Sequence, residues 1–199
     1  MKIICITGYS GAGKTTVAGI LLKKLPNSAL VEGDEYWRKS PLVFKNEFER
    51  IFNMPLDEKN CLQCLLSALD TGAVQGSEYM CTIIPYVDSG IRESIEVQKK
   101  LNKDFVIVDY ATLEYSKTWA DADYRIVVDS PKQQRAEKFR ERTFERYGYY
   151  NDKRFDIREA TIKIGLQEAK NVDFVIMNHY NMAQLEADVQ KVCDRIRSA

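Results

Sequence analysis

The chain has 199 residues, 45% hydrophobic and 29% charged, a balance that fits one soluble globular domain with a sizeable core. Lys plus Arg and Asp plus Glu both total 29, and a formal net charge of zero argues against a nucleic-acid or membrane-surface binder. Five scattered cysteines exclude a secreted disulfide scaffold, and no apolar run approaches the ~20 residues that span a membrane. With a strand expected from the first residues and no room for a signal peptide, a cytoplasmic protein is expected.

Ile3-Ile4-Cys5-Ile6 is a short apolar run of the kind a buried parallel strand shows. It leads into Gly8-Tyr9-Ser10-Gly11-Ala12-Gly13-Lys14-Thr15-Thr16, which fits the phosphate-binding pattern G-x-x-x-x-G-K-S/T. Val17, Ile20, Leu21 and Leu25 follow at helical spacing, so a helix is expected to start near Gly13. The glycines Gly8, Gly11 and Gly13 let the backbone wrap closely around phosphate oxygens. Amides of Ser10, Ala12, Gly13 and the first helical turn, through Thr16, point at the anion with the helix dipole behind them. Lys14 is expected to reach the outer phosphates of ATP, and the Thr15 hydroxyl to ligate Mg²⁺.

Pro26-Asn27-Ser28 breaks that helix, and Ala29-Leu30-Val31 reads as a second strand running into Glu32-Gly33-Asp34-Glu35-Tyr36-Trp37-Arg38. Ligands gather at the carboxyl ends of strands in open α/β sheets, so Asp34 is a candidate general base or hydroxyl-orienting group for an acceptor. Glu35 beside it is an alternative base. The competing reading is a Gly-Asp turn that merely reverses the chain.

Between Pro41 and Pro55, Phe44, Phe48, Ile51 and Phe52 suggest one amphipathic helix. A further helix is expected over Asp57 to Leu69, where Cys61 and Cys64 sit among Leu62, Leu65, Leu66 and Leu69 as core rather than as a metal or redox pair. Glu78 to Ile84 reads as a strand or an extended loop ending at Pro85, and Ile91, Ile95 and Gln98 continue a helical face toward Leu101.

Phe105-Val106-Ile107-Val108-Asp109 reads as a central strand with a carboxylate at its end, and Asp109 there would help hold Mg²⁺ beside Thr15, or else cap a turn. Tyr124 to Val128 is a fourth strand, leading through Pro131 into a long helix that carries Arg135, Phe139, Arg142 and Arg146 on one face. Arg140, Arg154 and Arg158 extend this cluster, whose guanidinium forks suit phosphate. Glu137, Glu141 and Glu145 are interleaved, so a solvated, salt-bridged face competes with a phosphate-closing lid over about 139–158. Gly148 is a candidate hinge, and the tyrosines beside it could stack on a base or pack the lid.

A helix over Asp156 to Ala169 is expected next, then Phe174 to Met177 as a fifth strand. His179, the only histidine, excludes His-ligand metal clusters and argues against a Ser-His-Asp hydrolase. Leu185, Val189, Val192 and Ile196 mark a C-terminal amphipathic helix.

The order of these parts resembles the P-loop small-molecule kinases. From about Ile84 onward the chain is most similar to dephospho-CoA kinase. Phe105 to Glu114 matches that family's strand-acid-leucine segment, Ala122 to Val128 its next strand, Arg135 and Arg142 its lid arginines, and Val172 to Asn178 its closing strand. Gly33-Asp34-Glu35-Tyr36 looks more like uridine kinase and its relatives. The resemblance implies a P-loop NTPase three-layer α/β/α domain with a five-stranded parallel sheet and a small helical lid. It also implies transfer of the γ-phosphate of ATP to the ribose 3′-hydroxyl of dephospho-CoA, with a nucleoside or another small metabolite as the alternative acceptor. Lys14, Asp34 and Arg142 would then be catalytic, Arg135 and Asn178 would lie at the nucleotide, and Thr15 and Asp109 would serve Mg²⁺. A P-loop ATPase module that drives a partner is the reading of a different class.

Overall fold

Short apolar runs that end in a turn residue bury both faces when they lie side by side in a parallel sheet, and the chain uses them so. The computed structural model describes residues 1–52, 55, 76–148, 150 and 152–198. Strands β1 (Lys2–Gly8), β2 (Ser28–Glu32), β3 (Phe105–Asp109), β4 (Tyr124–Asp129) and β5 (Phe174–Met177) form one parallel sheet in the order β2-β3-β1-β4-β5. Parallel pairing needs long crossovers, supplied here by helices α1 (Lys14–Lys24), α2 (Gly33–Val43), α3 (Lys45–Phe52), α4 (Gly76–Lys100), α5 (Lys117–Asp121), α6 (Lys132–Tyr147) and α7 (Asp152–Glu168). A final helix, α8 (Met182–Ser198), follows β5.

The period of two along each strand divides the core between two layers. Ile4, Ile6, Ile107, Ile126 and Val128 face α1 and α8, where Val17, Leu21, Leu185, Val189 and Ile196 complete one cluster. Cys5, Val106 and Val108 point the other way, onto Ile83, Val87, Ile91 and Ile95 of α4 and Trp119 of α5. Each such side chain contributes roughly 1.5–3 kcal/mol on burial. The register aligns the carboxyl ends: Ile6 pairs with Asp109, and Asp109 with Glu32. The phosphate loop and the two acids after β2 and β3 therefore open onto one edge of the sheet.

Two expectations and one competing reading are corrected. Glu78 to Ile84 is part of α4, a continuous helix that runs through Pro85. Proline removes one helical hydrogen bond, but Pro85 is exposed, and Ile83, Val87, Ile91 and Ile95 at four-residue steps bury against β1 and β3. Gly33-Asp34 does not reverse the chain; these residues open α2, which continues past Ser40 and Pro41. The helix ahead of the fifth strand starts at Asp152 and ends at Glu168, not at Asp156 and Ala169. The expected helix over Asp57 to Leu69, with Cys61 and Cys64, lies outside the described residues.

Candidate functional site

The loop after β1 is held in conformations that demand glycine. Gly8, Gly11 and Gly13 have φ of 136°, 81° and 95°. A Cβ at Gly8 would strike the Val128 carbonyl on β4, and one at Gly11 would press on the Arg135 backbone at 2.6 Å. The loop is also braced by residues just after β5. The buried Asn178 side chain donates from Nδ2 to the Ala12 carbonyl at 2.9 Å, and the Tyr180 hydroxyl donates to the Gly11 carbonyl at 2.5 Å. Asn178 Oδ1 accepts from the Tyr180 amide, which ties the two braces together.

Lys14 opens α1 with its Nζ donating to the Gly8 and Tyr9 carbonyls, both at 3.0 Å, so the ammonium already sits over the loop. Burial pushes it down to about 8; the nearby Asp109 and Asp34 carboxylates counter that shift, while Arg142 and Arg158 add to it. The Thr15 hydroxyl donates to Asp109 Oδ2 at 2.7 Å. Asp109 is 7% exposed, and burial raises its carboxyl above the ordinary range, with Lys14 and Thr15 pulling it back.

These groups line a cavity of about 540 Å³. Its floor is Ser10, Gly11, Gly13, Lys14, Thr15 and Thr16; Asp109 and Tyr110 follow from the end of β3, and Glu32, Asp34 and Arg38 from the end of β2 and from α2. Lys138, Glu141, Arg142 and Glu145 enter from α6, Arg158 from α7, and Asn178 and Tyr180 from beyond β5. The cavity thus gathers Lys14, Asp34, Asp109, Arg142 and Asn178, which are remote in sequence. Gly33 lets α2 start against the Tyr110 ring, which a Cβ there would meet at 2.6 Å, and so sets the position of Asp34.

Arg135 occupies a different place from Arg142. It is 6% exposed, with Nη1 donating to Asp129 Oδ1 at 2.5 Å and to the Ser130 carbonyl, and Nη2 donating to Glu159 Oε2 at 2.5 Å. Its guanidinium carbon lies 4.1 Å from the centre of the Tyr9 ring. It joins β4, α7 and the loop from beneath and is not among the cavity-lining residues. Of the extended cluster, Arg158 donates from Nε to Ser10 Oγ at 3.0 Å, and Arg140 lies exposed with its guanidinium 5.6 Å from the Tyr150 ring centre. The side chains of Arg146 and Arg154 lie outside the described residues. Phe139 and Phe155 pack α6 against α7 at 5.6 Å between ring centres, and Gly148 at φ 72° ends α6.

Three features escape the sequence reading. Glu114, just beyond β3, accepts from the Thr7 hydroxyl at 2.6 Å, and burial pushes its carboxyl up to about 7. Tyr180 reaches the loop from a left-handed backbone position, φ 57°, which no local sequence signal announces. Arg38 could have been found, since it stands four residues after Asp34 and shares its helix face.

The fold is shared with solved structures, kinases among them. TT1252 from Thermus thermophilus is similar over 98% of this chain and 97% of its own, at 20% identity and a TM-score of 0.65. Dephospho-CoA kinase from Campylobacter jejuni gives the same coverage and identity at a TM-score of 0.54. Shikimate kinase from Bacteroides thetaiotaomicron covers 98% of both chains at 14% identity and a TM-score of 0.55. No curated protein matches the chain in sequence. The sequence pattern of the AAA domain matches residues 4–162, which include the phosphate loop, Asp34, Asp109 and the arginines of α6 and α7, and the chain belongs to that family.

Proposed function

We propose that the protein is an ATP- and Mg²⁺-dependent phosphotransferase that moves the γ-phosphate to a hydroxyl group of a small metabolite. The observation that carries this reading is Asp34, a carboxylate lining the same cavity as Lys14 and close enough to lift the lysine's proton affinity. A nucleotide-hydrolysing switch does not need an acceptor-side acid on a separate helix; a kinase does.

The loop suits a triphosphate: its glycines supply the positive-φ cradle, and Lys14 is already gathered over it. Among the described residues no group of three or more acidic, His or Cys side chains is arranged for a metal. The Thr15–Asp109 pair is what Mg²⁺ needs when phosphates and water supply most of its shell, and those two residues would hold it. Bound there, the ion would supply positive charge against that of the phosphates. Arg142 and Arg158, from α6 and α7, stand as the lid cations that stabilise charge on the transferred group. Asp34 takes the proton of the acceptor hydroxyl as its oxygen bonds to the γ-phosphorus; the bond to the β,γ-bridging oxygen breaks and ADP leaves. Asn178, tied to Ala12, positions the loop.

Among acceptors, dephospho-CoA comes first, on the likeness of Phe105–Glu114 and Val172–Asn178 to that kinase and on the structural likeness to the Campylobacter jejuni enzyme. The test is ADP release with ATP and Mg²⁺ across dephospho-CoA, uridine, cytidine, sugars and vitamins, with Lys14→Ala as control. Acceptor-stimulated release that Lys14→Ala abolishes supports the proposal. A rate unchanged by every acceptor counts against it and favours an ATPase module.

A further inference from the structure

We infer that the acceptor carries an oxyanion, a carboxylate or a phosphate, and that Arg38 is the side chain that binds it. This rests on the kinase reading above and concerns the side of the cavity lined by Glu32, Asp34 and Arg38.

The cations around the cavity have different employment. Lys14 and Arg158 bond to the phosphate loop, and Lys138 pairs with Glu141 at 2.8 Å on α6. Arg38 comes from the acceptor-side helix α2 and makes neither an ion pair nor a hydrogen bond with any described residue. Its natural partner by spacing would be Asp34, four residues earlier on the same face, where such pairs ordinarily form. The two do not pair, and both line the cavity separately.

The helix that presents them is fixed. The Tyr36 ring lies against Gly90 of α4 so closely that a Cβ at Gly90 would overlap it, and the Tyr36 and Ser94 hydroxyls are 2.6 Å apart. Phe44, just past the end of α2, sets its ring edge-on to Tyr86 at 5.1 Å. A wall held this way keeps Asp34 and Arg38 in one relative position.

The charge pattern then selects the ligand. Glu32, Asp34 and Asp109 line this side, so a bare anion is disfavoured everywhere except at Arg38. The guanidinium offers two parallel donors, the fork that carboxylate and phosphate oxygens accept. An acceptor docked by its oxyanion on Arg38 has its register set, with its hydroxyl one helical turn back, at Asp34.

The experiment compares matched acceptors in the ADP-release assay: gluconate against sorbitol and shikimate against its methyl ester for carboxylate, dephospho-CoA against adenosine and UMP against uridine for phosphate. The expected result is activity on the charged member of one pair and little on its neutral counterpart. Arg38→Ala raises KM for that acceptor roughly tenfold or more with a smaller change in kcat and none in KM for ATP, and Arg38→Lys falls between. Equal use of the neutral member, or an Arg38→Ala effect confined to kcat, overturns the inference while leaving the kinase reading intact. If no member stimulates ADP release, the kinase reading fails. The same charged probes, titrated calorimetrically into protein loaded with Mg²⁺ and ADP, then decide the anion site: binding lost in Arg38→Ala sustains it, and no binding overturns it.

Discussion

Arg135 was expected at the nucleotide from its likeness to a lid arginine, and its surroundings predict a different consequence of removing it. Its side chain is 8% exposed, Glu159 is 11% exposed and Asp129 30% exposed. Arg135→Ala therefore strands one nearly buried carboxylate, Glu159, and one that water can partly re-solvate. Breaking a buried pair from one side costs about 3–5 kcal/mol, and the exposure of Asp129 puts the expected loss near the lower figure, about 3 kcal/mol. For a chain of this size that is roughly 6–12 °C in Tm. Thermal unfolding followed by circular dichroism measures it. A paired Arg135→Met, Glu159→Gln variant, which removes the stranded charge, should recover more than half of the loss. ATP affinity, measured by calorimetry on the folded protein, should fall only modestly, because the guanidinium supports the loop from below. A variant with unchanged Tm and an ATP affinity reduced a hundredfold would refute this reasoning and make Arg135 a direct ligand.

Glu114 predicts a pH effect. Its carboxyl is raised from 4.5 to about 7, chiefly by burial. The folded protein thus favours the protonated form, so the stability this group lends is present below about pH 4.5 and is lost as pH rises through about 7, on the order of 3 kcal/mol in all. Glu114→Gln keeps an acceptor for Thr7, and unfolding scans from pH 5 to 8 should show the variant gaining on the parent as pH rises; a constant difference would contradict the assignment. Gly8→Ala forces a side chain at φ 136° into the Val128 carbonyl and should cost at least about 2 kcal/mol by urea unfolding. Asn178→Ala frees the Ala12 carbonyl, loosens the loop, and should weaken ATP binding about tenfold by calorimetry.

The phosphate loop was legible because its residue types answer to a local need: positive φ at Gly8, Gly11 and Gly13, and a helix starting at Lys14. Asp109 was legible because an acid closing an apolar run in a parallel sheet has one place to be, and the register put it beside Thr15. The helical start of α2 was not, since Gly33-Asp34 serves a turn equally well until the Tyr110 ring requires a residue with no Cβ. Pro85 misled because a proline normally ends a helix, and only the burial of Ile83 and Val87 on the opposite face overrides it. The arginines were alike in sequence and unlike in space. Periodicity put Arg135 and Arg142 on one face of α6, but Asp129 and Glu159, from other elements, captured Arg135 and left Arg142 to the cavity.

In the proposed reaction Asp34 acts on an acceptor hydroxyl. The most direct measurement is acceptor-stimulated ADP release by Asp34→Asn, taken alongside its calorimetric affinity for ATP. A lost general base should lower kcat by about 10²–10⁴-fold while ATP affinity stays within a few-fold of the parent. Unchanged turnover, or a collapse of ATP affinity along with it, would contradict that role.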